Sequence, residues 1–334
     1  MIRICVIGAG SIGRAVAAIL GAQVGLDVHL WARKFEQKHE LRLVAYVGSL
    51  PYAAGRVTAQ PDLIEAVDGA AALFLTTPSH TRRSLLERCG RFLQECHLLF
   101  SWEGSGSFAQ TLVELGLEGI PAAGYQRSPL ICRGAANGIE HVEILAVRSL
   151  VTAASIAKEH RVSVQGWLQT LLPFRQQFAP DYRYVSISPG NPLIHPARLF
   201  SLYRQNCKLR AGALGFYQHW DDDASEVLLQ LHTELSQLRD RLALDKRYIS
   251  TYMDRDTVPG PQTITAEIRR QAPLAHVRIP VVGDSEALEL DFSHRFFAED
   301  IGEGIRQILK IADASAIRLP ALQAVAAWYE SRQA

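Results

Sequence analysis

The sequence predicts two domains: an α/β N-terminal domain on a doubly wound, mostly parallel sheet over residues 1–186, followed by an all-α C-terminal domain over residues 187–334. Three observations predict this. A strand-length apolar run at the start passes directly into a glycine-rich turn and a helical pattern. Short strand-like runs then recur through the first half. After roughly residue 185 they give way to long helical stripes. A chain of 334 residues suits the division, because single cores stop growing at roughly 250–300 residues.

The first strand is Ile2-Arg3-Ile4-Cys5-Val6-Ile7, and the turn after it is Gly8-Ala9-Gly10-Ser11-Ile12-Gly13, with Ala15, Val16, Ile19 and Leu20 at helical spacing beyond. The pattern GxGxxG is weak alone, but between a strand and a helix it has a specific physical use. Gly8 allows the tight turn, Gly10 lets the backbone approach a pyrophosphate, and Gly13 lets helix and strand pack closely, while the helix's first free amides face the anion. Val24 to Leu30 supplies the next strand at the spacing that a Rossmann unit requires. A purely structural glycine turn is the plain alternative.

At the end of that strand a site for NAD usually carries Asp or Glu for the ribose 2′-hydroxyl, whereas this chain reads Trp31-Ala32-Arg33-Lys34. Arg33 and Lys34 suit a 2′-phosphate, so NADPH is favoured over NADH. The competing reading is two solvated surface cations. Strands are also predicted at Ala71–Thr76, Leu98–Ser101, Ile120–Tyr125 and Val142–Val147. Ligands on open parallel sheets bind beyond the carboxyl ends of strands, which makes Thr76, Thr77, Pro78 and the Gly104–Ser107 loop candidates to line the cofactor site.

Composition narrows the partners. With 48% apolar residues, 21% charged residues and a formal charge of +1, the chain has no broad field for nucleic acid or an anionic membrane, and small-molecule substrates are expected. No run approaches the ~20 apolar residues of a membrane span, and the N-terminus enters a strand at once without a signal, so the expected location is the cytoplasm. Five scattered cysteines, Cys5, Cys89, Cys96, Cys132 and Cys207, form no CxxC pair, and most of them read as buried thiols. No metal is expected. A homodimer is left open.

In the second half, Val227, Leu228, Leu231, Leu235, Leu238 and Leu242 form one helical stripe, read as core. Asp221-Asp222-Asp223 ahead of it reads as a cap that complements the helix dipole rather than as a metal site. Thr257–Pro261 reads as a loop. Ile301, Ile305, Ile308 and Ala312 mark another helix, with Asp300 and Glu303 fitting a capping box at its start. Asn191-Pro192-Leu193-Ile194-His195-Pro196 brackets an imidazole with two prolines. It reads either as a histidine held still for chemistry or as part of a turn.

Taken together, the GxGxxG turn, Asn191-Pro192-Leu193-Ile194-His195-Pro196 and His294-Arg295-Phe296-Phe297-Ala298-Glu299-Asp300-Ile301 resemble the octopine/opine dehydrogenase family in order and separation, over nearly the whole chain. The resemblance implies an enzyme that reductively condenses an amino acid with a 2-oxo acid, usually pyruvate. It implies His195 as the acid/base, with Arg295 and Asp300 as its partners. Pro129-Leu130-Ile131-Cys132-Arg133 looks like the family's Pro-x-x-x-Arg stretch, which makes Arg133, with Asn191 and Arg295, a candidate substrate contact. The loop Ser101–Phe108 departs from the family's GxxGF pattern.

In that reading the imidazole moves a proton, Asp300 fixes its tautomer and Arg295 offers a fork for a carboxylate. For Arg295, an ion pair with Glu299 at helical spacing is the structural rival. Two other classes stay open: a ketopantoate-reductase or 2-hydroxy-acid type dehydrogenase, which would rely on a lysine such as Lys208 or Lys246, and a non-catalytic NADPH-binding protein.

Overall fold

Ile4 to Ile7 are fully buried in sequence, on both faces of their strand, and such a run belongs in the middle of a covered parallel sheet. In the computed structural model, which describes residues 1–134, 138–205, 214–283 and 288–333, the chain divides into two units, Met1–Val185 and Ser186–Ala334.

The first unit begins β1 (Ile2–Ile7), α1 (Ser11–Gly21), β2 (Leu26–Trp31), β3 (His39–Val47), β4 (Leu50–Gln60), α2 (Leu63–Val67) and β5 (Ala72–Leu75). It continues with α3 (Arg82–Leu93), β6 (Leu98–Ser101), α4 (Phe108–Glu114), β7 (Ala122–Tyr125), β8 (Leu130–Gly134), β9 (His141–Val147), β10 (Val151–Ser155), α5 (Arg161–Leu171) and β11 (Gln176–Phe178). All eleven strands share one sheet in the order β11-β10-β7-β6-β5-β1-β2-β4-β3-β9-β8. From β7 across to β4 the strands are parallel, as in a Rossmann domain, and α1 packs over Val6, Val28, Leu30, Val57 and Ala59 on one face.

Two departures from expectation have local causes. β2 starts at Leu26 rather than Val24, because Val24 is fully solvent-exposed and Gly25 turns the chain at φ +90°. The antiparallel β3–β4 hairpin was not anticipated, although Leu41, Leu43 and Ala45 alternate inward with the period of a strand. β9 adds parallel to β3 and β8 adds antiparallel to β9, which extends the sheet over α1. Arg14, buried on α1, ties the two together: its Nη1 donates to the carbonyls of Gly138, Ile139 and His141 at 3.1, 2.8 and 2.9 Å.

The chain crosses between units in α6 (Arg183–Ser186). The second unit holds α7 (Asn191–Arg204), α8 (Asp222–Arg241), α9 (Pro261–Arg269), α10 (Arg295–Ala298), a π-helical turn (Asp300–Ile305), α11 (Arg306–Asp313) and α12 (Pro320–Glu330). It is helical, as expected, apart from the two-residue strands β12 (Val281–Val282) and β13 (Glu289–Leu290), which pair with each other. The apolar stripe of α8 is core from Val227 to Leu238, and Leu242 is its half-buried C-cap. Pro261 opens α9 rather than ending a loop, since a proline at the first helical position gives up an amide that has no partner there anyway.

Three further expectations resolve here. Asp221 caps α8, accepting from the Ala224 amide at 2.9 Å. His195 lies inside α7, not in a turn, with Pro192 in the helix's first turn and Pro196 within it. Asp300 is not an N-cap: α10 has already begun the helix at Arg295, where His294 Nδ1 accepts from the Phe296 amide, so Asp300 is interior and its carboxylate is left for other partners.

Candidate active site

The glycine turn of the first unit has the geometry that its pattern demands. Gly8 sits at φ +114°, and a Cβ on Gly13 would lie 1.8 Å from the Gly8 carbonyl oxygen, so neither position accepts a side chain. At Gly10 nothing lies within 4 Å of where a Cβ would be. α1 has no side-chain cap, which leaves its first amides for a ligand. Ala9 is buried, and Ser11 and Ile12 are half-buried at the helix start.

Across the turn, the Thr76 hydroxyl donates to the carbonyls of Ile7 and Gly8 at 3.0 and 3.1 Å, so it braces the loop. The Thr77 hydroxyl is buried beside it with no partner among the described residues, and Pro78 is exposed. A cleared backbone surface, orphan amides and an orphan hydroxyl fit a dinucleotide pyrophosphate. Past β2, the Phe35 amide closes a turn on the Ala32 carbonyl at 3.1 Å, with Arg33 and Lys34 exposed at its tip. Neither makes an ion pair among the described residues.

In the second unit, His195 is 4% exposed and Asp300 is 8% exposed, and the two are hydrogen-bonded to each other. His195 Nδ1 lies 2.7 Å from Asp300 Oδ2, and Nε2 lies 2.8 Å from the Tyr217 hydroxyl oxygen. The Phe296 ring stacks on the imidazole at 3.8 Å and 25°, and Phe216 meets it edge-on at 5.4 Å. With Nδ1–H donating to Asp300, the Nε2 lone pair accepts from Tyr217.

Local packing explains how distant segments meet. In the π-helical turn the Gly304 amide reaches back to the Glu299 carbonyl at 2.8 Å. A Cβ on Gly304 would lie 2.7 Å from Pro192 Cγ, so only glycine lets α7 come this near. Pro192 and His195 are one helical turn apart, as are Gly304 and Asp300, and the close approach at one level sets the hydrogen bond at the next.

Arg198, one turn beyond His195 and 3% exposed, clasps the Tyr217 loop through Asp221 Oδ2 and the His219 carbonyl, both at 2.5 Å. Asn191 opens α7 one turn before His195. Arg295 is exposed, 5.7 Å from the Phe296 ring centroid, and makes no ion pair among the described residues, so the anticipated pairing with Glu299 is absent. Burial, then the neighbouring Arg295, holds the His294 imidazole below its usual range.

Arg133 belongs to the first unit, where its guanidinium meets Glu143 across β8 and β9 at 2.6 Å. Burial pushes the Cys89 and Cys96 thiols up to about 11, which removes them as nucleophiles. Cys207 and Lys208 lie outside the described residues. Lys246 is exposed in the turn after α8. Tyr217 and Arg198 were missed from sequence. The signals were the aromatic-rich run Gly215-Phe216-Tyr217-Gln218-His219-Trp220 and an arginine on the helical face of His195.

Residues 178–332 match the family described as NAD/NADP octopine/nopaline dehydrogenase, alpha-helical domain, and residues 3–103 match the NAD-dependent glycerol-3-phosphate dehydrogenase N-terminus. Protein ocs of Agrobacterium vitis is 22% identical over 97% of this chain and 89% of its own length. Vitopine synthase of Allorhizobium ampelinum is 23% identical with the same coverage of both chains. Among solved structures, octopine dehydrogenase with NADH and L-arginine superposes with a TM-score of 0.82 at 17% identity, covering 99% of this chain and 89% of that one.

Proposed function

Because this chain belongs to the opine dehydrogenase family of NAD(P)-dependent oxidoreductases, we propose that it condenses an amino acid with a 2-oxo acid such as pyruvate and reduces the resulting imine with NADPH. The observation that carries this reading is the buried Asp300–His195 pair, 2.7 Å between Oδ2 and Nδ1, at the meeting of two motifs that the resemblance assigns to the site. Condensing an amine with a ketone needs a group that removes a proton from the incoming ammonium and returns it to a departing hydroxyl. An imidazole oriented by a carboxylate does both.

Asp300 holds His195 in one tautomer and stabilises the imidazolium when it forms. Arg295, exposed and not engaged in an ion pair, receives the substrate carboxylate through its planar fork, and Asn191, at the start of α7, is a second contact. Arg133 is already paired with Glu143, which favours Arg295 for this role. NADPH, when bound, supplies the hydride. The Gly8–Gly13 turn and Thr77 would hold its pyrophosphate, and Arg33 and Lys34 its 2′-phosphate. Four free cysteines among the described residues fit a reducing cytoplasm.

The lysine that a ketopantoate-reductase-type reaction would need has no buried representative among the described residues of the second unit, where Lys246 and Lys310 are exposed. The test is NADPH oxidation measured with pyruvate alone, with pyruvate plus amino-acid mixtures, and with neither. Oxidation that requires the amine is expected; equal rates without it would discard opine chemistry. With the true amine in hand, Arg33→Ala with Lys34→Ala is expected to raise the KM for NADPH about 10-fold or more while that for NADH stays near the parent value.

A further inference from the structure

The acid/base reading of His195 leaves one feature of the second unit unused. Both imidazole nitrogens are already hydrogen-bonded, Nδ1 to Asp300 and Nε2 to Tyr217, and the ring is covered by Phe296 and Phe216. No nitrogen of His195 is left for a substrate atom. A proton that leaves the imidazole must therefore pass through the Tyr217 hydroxyl, or Tyr217 must first be displaced.

The loop argues against displacement. The neighbouring Phe216 is fully buried and its amide donates to the Val277 carbonyl at 2.8 Å. The Gly215 amide donates to His219 Nδ1 at 3.1 Å, and the Ile279 amide to the Leu214 carbonyl at 2.7 Å. On the other flank Arg198 fixes Asp221 and the His219 carbonyl, and the Tyr217 ring lies parallel to that of Trp220 at 9°. A hydroxyl anchored from both sides is built to stay on Nε2.

We propose that Tyr217 is the group that exchanges the proton with the substrate amine, as the outer member of an Asp300–His195–Tyr217 relay; the inference rests on the acid/base role of His195 stated above. In the forward direction an N–H proton of the substrate ammonium passes to the phenolic oxygen while the phenol's own proton moves to Nε2. This leaves an imidazolium held by Asp300. The freed amine adds to the carbonyl carbon of the 2-oxo acid, and a proton shifts from nitrogen to oxygen to give a carbinolamine. The stored proton then returns through Tyr217 to the carbinolamine hydroxyl. That oxygen leaves as water as the nitrogen lone pair forms the C=N bond, so the enzyme ends with the protons that it began with.

The test combines Tyr217→Phe, a fluorotyrosine series at position 217 and His195→Ala. Tyr217→Phe keeps the ring and removes only the hydroxyl; it is expected to lower kcat about 10²-fold or more, with a much smaller change in the KM of the amine. Ring-fluorinated tyrosines of decreasing phenol pKa at position 217 retain the hydrogen bond, and the limb of the kcat–pH profile that belongs to the relay is expected to move in step with them. In the cofactor-free protein labelled with ¹⁵N-histidine, the Nε2 resonance assigned by its loss in His195→Ala is expected to shift in Tyr217→Phe. A kcat for Tyr217→Phe within about threefold of the parent, or a lowered KM alone, would show that substrate takes the place of the hydroxyl and overturn the relay. Should Tyr217→Phe fold poorly by circular dichroism, the fluorotyrosine series decides, and a pH profile indifferent to fluorination rejects the proposal. Near-normal turnover by His195→Ala would instead remove the acid/base reading itself, and the relay with it.

Discussion

Asp300 and His195 stand 105 residues apart in the chain and 2.7 Å apart between Oδ2 and Nδ1. At this scale the candidate site was partly legible. The histidine and the aspartate could be paired because the motifs around them resemble a family, whereas Tyr217 sits in an aromatic run whose rings read simply as core. Which ring carries a hydroxyl to a buried nitrogen depends on backbone turns that no periodicity reports. Asp300→Asn is expected to lower kcat by about 10²–10⁴-fold while leaving the amine KM close to the parent value, because an amide can hold the wrong tautomer of the imidazole without changing the binding surface. Initial rates over a range of amine concentrations check this, and a loss confined to KM would mean that Asp300 contacts substrate rather than orienting His195.

Among the elements, the π-helical turn bears most directly on that pair. Its wide turn places Gly304 against Pro192, with no room for a methyl group. Gly304→Ala should therefore cost about 1–3 kcal/mol in thermal stability through overpacking, together with a fall in kcat as Asp300 is carried away from His195. Melting curves and rates on the same samples separate these effects, and full activity in a destabilised variant would uncouple the turn from the site. The π-helical turn was invisible in the sequence for a physical reason. Asp300 and Glu303 have the spacing of a capping box, but the same spacing recurs inside any helix, and only the entry of the chain at His294 decides between them. The β3–β4 hairpin is the opposite case: its inward alternation stands in the sequence, but a hairpin inserted between parallel strands breaks the strand–helix alternation that marks the rest of the sheet.

For the molecule as a whole, the central parallel strands and the helical second unit were both foreseeable, since burial on two faces and long apolar stripes each leave a strong periodic mark. The stability of the helical unit should depend on pH through Asp254. Burial alone would raise its carboxyl, but the Arg239 guanidinium with the Thr251 amide and hydroxyl holds it below the ordinary carboxylate range. A carboxyl depressed in the folded chain stabilises it above the unfolded titration, and that contribution fades as pH falls through the folded value. Asp254→Asn is accordingly expected to lose about 1–3 kcal/mol at neutral pH and to converge on the parent in acid. Urea midpoints at both pH values check it; a gap that persists in acid would assign the effect to hydrogen-bond shape rather than charge.

Arg14 has a consequence for how such a molecule comes into being. Its guanidinium, buried on the first helix, finds three carbonyl acceptors among the described residues, at Gly138, Ile139 and His141. A nascent chain still shorter than that offers this cation none of these three acceptors, and at about 5–20 residues per second the ribosome imposes a wait of many seconds. The amino-terminal helix, among the earliest segments to emerge, is thus among the last to be locked in place.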